Sequence, residues 1–139
     1  MLKTFFSWKP VTENALLVIR LSAGLLILVH GLGTFNPAHM EGNVAWLTDL
    51  HFPAPAFMAY LGKISELLGG VLLILGLLTR LASLTLIINM LVITAVLGSS
   101  KIFTQDQHPF LLMLSFVYLL LSGPGKISLD YLLFKGKHD

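Results

Sequence analysis

The sequence predicts an all-α integral membrane protein, a bundle of four transmembrane helices with a short interfacial helix between the first two. Three observations predict it. Four long apolar stretches follow one another along the chain, each near the roughly 20 residues that cross a hydrocarbon core. Only 12% of the 139 residues are charged and 55% are hydrophobic, against about 25% charged in a soluble domain. Two of the stretches carry an ionisable residue well inside them, Arg20 in the first and Glu66 in the second. A charge there costs at least about 2.5–3.5 kcal/mol, so each marks a function or a partner.

The first span covers about residues 14–35. Thr12 or Asn14 can cap its start, with Glu13 in the first turn. Gly31, Gly33 and Asn36-Pro37 stop it. Beyond it, Met40, Val44, Leu47 and His51 recur at helical spacing with Trp46 alongside, which predicts the interfacial helix with Trp46 at headgroup level. Pro53 and Pro55 end that helix. The second span covers about residues 57–78 and is closed by Thr79-Arg80; the third follows at once, over about 81–98, so the two form an antiparallel hairpin. A polar loop over 99–108 leads to the fourth span, about 109–122. Pro109 opens it and Gly123-Pro124-Gly125 breaks it. A short amphipathic tail over 127–134 precedes Lys135, Lys137 and His138. Residues 1–139 are expected to form a single membrane domain, with no room for a separate soluble one. The first apolar run is too long for a cleavable signal peptide and lacks a small-x-small exit, so it is expected to remain as an anchor.

Lys3, Lys9, Arg80, Lys126, Lys135 and Lys137 fall on one side of this arrangement, and Lys101 and Lys63 on the other. The excess predicts a multi-pass protein with both termini in the cytoplasm. The net charge of +2 sits at the ends of the apolar runs, where membrane lipid accounts for it and nucleic acid does not. The chain contains no cysteine, which excludes disulfides, thiol redox chemistry, Cys-ligated iron–sulfur clusters and cysteine nucleophiles.

Each span carries a stripe of polar and small residues at three- and four-residue steps. These are Arg20, Gly24, Ile27 and Gly31; Gly62, Lys63, Glu66, Gly70 and Leu73; Ala82, Thr85 and Asn89; and His108, Leu111, Ser115, Tyr118 and Ser122. Lipid cannot satisfy polar groups, so all four stripes are expected to face inward. Ser65 and Gly69, with Gly76 beyond, read as small residues for close helix packing. At about 1.5 Å per residue, Arg20 lies roughly 9 Å and Glu66 roughly 20 Å above the cytoplasmic surface. A direct pair then needs Arg20 to extend or a water to intervene, and Asn89 lies between them in depth. His30 and Lys63 lie about one turn outward of Glu66.

Glu66 has two readings. It is a proton-exchanging or quinone-facing carboxyl, or it is a structural acid paired with Arg20 or Lys63 or hydrogen-bonded to Asn89 or Tyr118. Arg20 can bind a lipid phosphate, an anionic substrate or a quinone carbonyl, or it can snorkel to the surface. His30 can relay protons or meet a quinone oxygen, or be a wetted interfacial side chain. Haem would need a second histidine at its depth, and His39, His51 and His108 fall in loops or at span ends. Glu41 and Asp49 lie near His39 and His51 without the spacing of a metal motif. No phosphate loop, zincin motif or nucleophile elbow is present.

The stretch Arg20-Leu-Ser-Ala-Gly24 leading to His30-Gly31 resembles the first-helix signature of the DoxX family. Ile64-Ser-Glu66-Leu-Leu-Gly69-Gly70, continuing to Leu75-Gly76-Leu-Leu-Thr79-Arg80, resembles its second-helix signature. Gly123-Pro124-Gly125-Lys126-Ile-Ser128-Leu-Asp130 resembles its C-terminal one. The resemblance covers about residues 11–131. It implies a four-helix bundle in the cytoplasmic membrane and a tie to redox biology, since relatives include a membrane subunit of a thiosulfate:quinone oxidoreductase and proteins linked to oxidative or quinone stress. It carries over Arg20, His30, Gly31, Glu66, Gly70, Arg80 and Asp130 as motif positions. Many relatives have a lysine shortly after the His-Gly pair, where this chain has Gly33-Thr34.

Three functions follow as expectations. The first is a quinone-interacting subunit of a redox or oxidative-stress-related complex, its headgroup held between Arg20, Glu66, Asn89 and Tyr118 with His30 and Lys63 nearby. Quinone would be its cofactor, and since no haem, flavin or metal motif is evident, a soluble or membrane redox partner would supply the electrons. The second is a non-catalytic membrane anchor or assembly partner that docks through its interfacial segment and tail. A small lipid or solute carrier is a third, and it would need a homo-oligomer to enclose a path.

Overall fold

The structure is a computed structural model that describes residues 12–98, 101 and 103–134, and every regular element among them is helical. Helix α1 (Thr12–Gly31) runs into one 3-10 turn, Leu32–Phe35. Helix α2 covers Pro37–Asp49, α3 Pro55–Leu75 and α4 Thr79–Leu91, which continues as a wider π turn over Val92–Leu97. Helix α5 covers Gln107–Ser122 and α6 Leu129–Phe134. Among the described residues, three segments are long and apolar enough to cross a membrane: Asn14–Phe35, Pro55–Leu75 and Thr79–Leu97. The fourth apolar helix, α5, has 16 residues, about 24 Å of rise, against a hydrocarbon core of about 30 Å.

Local chemistry sets the boundaries. The Asn36 side chain accepts a hydrogen bond from the His39 N–H and caps α2. Pro55, expected to end that helix, instead occupies the first turn of α3, where its missing N–H costs nothing. Gly76 ends α3 in the left-handed conformation, φ 68°. Thr79 and Arg80 then open α4 rather than closing the span before it. The reason is a cap distant in sequence: the Asp130 carboxylate accepts from the N–H groups of Leu78 and Thr79 at 2.7 and 2.9 Å. Lys3, Lys9 and the basic tail from Lys135 lie outside the described residues.

The core is a column of Ile27, Leu73, Leu86, Met90, Phe116 and Leu119 contributed by α1, α3, α4 and α5. A second cluster, Met40, Leu47 and Ala59, fixes α2 against α3. Large apolar side chains also cover the outside, among them Val18, Leu25, Val29, Leu68, Leu81, Ile88 and Leu121, the pattern of a surface solvated by lipid tails. In lipid, close packing rather than hydrophobic expulsion holds helices together. Gly31 and Gly70 provide it between α1 and α3. A Cβ on Gly31 would stand 2.4 Å from the Leu67 nitrogen, and one on Gly70 would stand 2.8 Å from the Leu28 Cα. Gly69, expected to serve the same purpose, faces the Leu86 side chain of α4.

The polar stripe expected to turn inward on the fourth span faces outward. Leu112, Phe116 and Leu119 take the inner face of α5, while Leu111 and Tyr118 are exposed. Ser115 and Ser122 donate to the carbonyls of Leu111 and Tyr118, one turn back in the same helix. Their hydroxyls are thus satisfied locally, and lipid exposure carries no penalty for them.

Candidate functional site

Among the described residues Glu66 is the most enclosed acid, 3% exposed. It lies on the inner face of α3, where helical spacing aligns it with Gly70 and Leu73. Lys63, one turn earlier on the same helix, reaches its Oε2 at 2.8 Å. From α4, the Asn89 Nδ2 donates to its Oε1 at 3.2 Å and lies 3.5 Å from the Gly62 carbonyl. Each carboxylate oxygen therefore has its own donor, one charged and one neutral. That is the condition for keeping an ion pair away from water. Lys63 also lies 3.5 Å from the His30 carbonyl, which ties the group to α1.

This trio forms the polar wall of an otherwise apolar cavity of about 450 Å³ between α2, α3 and α4. Trp46, Leu47, Phe52, Met58, Ile88 and Ile93 line the rest. Trp46, Leu61 and Ile88 belong to this lining and are also exposed on the outer surface, so the cavity opens sideways between helices. An apolar cleft with a few convergent polar groups suits a lipid-soluble molecule with a small polar head.

Arg20 is equally buried, 2% exposed, and serves a different place. Its Nη1 donates to the Pro124 carbonyl and its Nη2 to the Ile127 carbonyl at 2.6 Å. Its guanidinium packs beside the α3–α4 turn, where a Cβ on Gly76 would stand 2.9 Å from Nη1 and 2.6 Å from the Ser128 Cβ. Asp130 attracts it electrostatically while capping α4, and the Asp130 N–H returns to the Gly76 carbonyl at 2.9 Å. Arg80 lies over Gly123, itself at φ 81°. Three stretches far apart in sequence thus close into one knot that joins α1, the α3–α4 turn and the chain after α5.

The residues expected around one headgroup therefore lie in separate places. Glu66, Lys63 and Asn89 come together at the cavity. Arg20 belongs to the knot, and Tyr118 is on the outer surface of α5. His30 sits at the end of α1 with its ring edge-on to that of His108, centroids 5.1 Å apart and planes at 81°. His108, read from sequence as a span-end residue, is thus the neighbour of His30. Sequence reasoning missed the cavity wall given by Trp46 and Phe52, for which the aromatic spacing was the available signal. It also missed the Pro124 and Ile127 carbonyls, which no side-chain motif announces.

The DoxX family model matches residues 15–99 of the chain. The chain is 33% identical over 126 residues to the Bacillus subtilis protein named "Putative oxidoreductase CatD", an alignment that covers 90% of this chain and 91% of that protein. It is 32% identical over 135 residues to an uncharacterized membrane protein of Mycobacterium tuberculosis, over 87% of this chain and 82% of that protein. No solved structure matches the chain.

Proposed function

The chain belongs to the DoxX family of membrane proteins, and from that premise we propose that it is a quinone-interacting subunit of a membrane redox complex. The observation that carries this reading is the buried Glu66, held by the partly buried Lys63 and Asn89, at the wall of an apolar cavity. A quinone has the matching shape: an aromatic head with two oxygens and an apolar tail. The Lys63 ammonium and the Asn89 amide are donors for a carbonyl oxygen, and the Glu66 carboxylate is an acceptor for a hydroxyl. The sideways opening lets a tail remain among the lipid chains. The oxidoreductase name of the Bacillus relative supports the redox setting.

In this reading the chain holds the head and exchanges its proton, and a partner moves the electrons, because the sequence supplies no thiol or cysteine-ligated centre. The bundle crosses the inner membrane four times with α2 at the interface and both termini in the cytoplasm. The test is mass spectrometry of small molecules retained by protein purified in mild detergent, wild type against Glu66→Gln. The expected result is a stoichiometric quinone that the variant loses. Lipid alone, unchanged by the substitution, would discard the reading.

A second reading, an anchor or assembly partner, is favoured by one feature. Leu132, Leu133 and Phe134 on α6 are exposed beside the Arg20 knot, a small apolar edge that a partner can cover. In that case deleting residues 129–139 abolishes complex formation while Glu66→Gln leaves it intact.

A further inference from the structure

We infer that His30 and His108 form, with Lys63, the route by which the cavity exchanges protons with water. The proposal rests on the reading of the cavity as a place where a ligand hydroxyl gives up its proton. Glu66 is enclosed, and the cavity beside it is lined mostly by apolar side chains, which neither donate nor accept protons. Lys63 points the other way as well: its Nζ bonds Glu66 at 2.8 Å and lies 3.5 Å from the carbonyl of His30. The side chains of His30 and His108 are exposed and stacked edge to face, 5.1 Å between centroids. A histidine is the side chain suited to pass protons near neutral pH. The titratable groups around His30 are Lys63 and Glu66 of α3, His108 of α5 and His39 of α2. Helix α4 contributes the uncharged Asn89 to Glu66.

The steps balance without moving an electron. The O–H bond of the ligand breaks and its proton goes to a Glu66 oxygen. The Lys63 ammonium releases one proton through a water to the His30 ring, and from there to His108 and bulk water. The Glu66 proton then crosses the 2.8 Å contact to the Lys63 amine and restores the ion pair. One proton has left the cavity for the end of the bundle that carries the α1–α2 connection.

The test is a pH jump followed by time-resolved infrared spectroscopy on the full chain in lipid nanodiscs, without added ligand. The Glu66 band is assigned by subtraction of the Glu66→Gln spectrum. In the doubly substituted His30→Gln, His108→Gln protein, Glu66 is expected to respond about a hundredfold more slowly, the low end of what a positioned proton-transfer group contributes. The final amplitude is expected to match wild type, which reports an intact fold, and free imidazole is expected to restore the rate. A wild-type rate in the double variant, a slow rate that imidazole does not restore, or a Glu66 band indifferent to pH would each overturn the route. Quinone retention is read separately. An unchanged rate with retained quinone removes the route and keeps the ligand, and a slowed rate with no quinone does the reverse.

Discussion

Gly31 of α1 and Leu67 of α3 meet backbone to backbone, so that a Cβ on the glycine would stand 2.4 Å from the leucine nitrogen. The neighbour is main chain and cannot swing aside. Gly31→Ala is expected to push α1 from α3 and destabilise the bundle by about 3 kcal/mol, the upper end for overpacking. Gly42→Ala on α2, where nothing lies within 4 Å of the added carbon, is expected to stabilise by about 0.5–1 kcal/mol. Unfolding of both variants in detergent checks the contrast.

Arg20 holds two backbone carbonyls with separate nitrogens. Lysine has one nitrogen and no fork. Arg20→Lys is expected to cost about 2 kcal/mol, one hydrogen bond to a charged group. Arg20→Ala is expected to cost more, and neither is expected to weaken quinone retention by the protein that remains folded. A thermal melt and the retention assay on the same samples separate the two effects.

The Lys63–Glu66 pair is enclosed enough for removal of one partner to be worse than removal of both. Lys63→Met is expected to lose about 3 kcal/mol by stranding the Glu66 charge. Adding Glu66→Gln to it should recover most of that loss. A double-mutant cycle on unfolding free energy measures the coupling, and additive losses would mean that the pair is solvated.

Asp130→Asn retains one acceptor oxygen where the Leu78 and Thr79 amides use two. The expected loss is about 1 kcal/mol, that of a helix cap. Amide exchange at residues 78 and 79, faster in the variant than elsewhere in α4, locates the effect.

Tyr118→Phe removes a hydroxyl on the outer surface of α5. Stability is expected to stay within about 0.5 kcal/mol of wild type, with quinone retention unchanged. Loss of retention would bring Tyr118 back into the site.

The helices were legible because lipid demands long apolar runs, and Asn36-Pro37 and Gly123-Pro124-Gly125 mark ends; the end of α3 at Gly76 was not, because that glycine reads equally as a small packing residue. The i,i+3 spacing of Lys63 and Glu66 placed them on one face, and depth arithmetic set Asn89 between Glu66 and Arg20. The destination of Arg20 was not legible. Its depth alone allowed a reach toward Glu66, but its partners are main-chain carbonyls after α5, exposed by a turn at Gly123 that side-chain patterns do not describe. The outward stripe of α5 misled for a related reason. Serine hydroxyls bonded one turn back in their own helix look in sequence like groups that need a buried partner.

The knot around Arg20 also bears on how the protein is made. Its carbonyl partners lie 104 and 107 residues further along the chain, at a ribosomal rate of about 5–20 residues per second a delay of roughly 5–20 s. During that interval α1 carries a cation whose final partners do not yet exist. The nascent helix must be sheltered by the insertion machinery or ride high toward the headgroups, and the bundle can close only when residues 124–127 have emerged. A chain cut short before residue 124 would leave the arginine without either carbonyl.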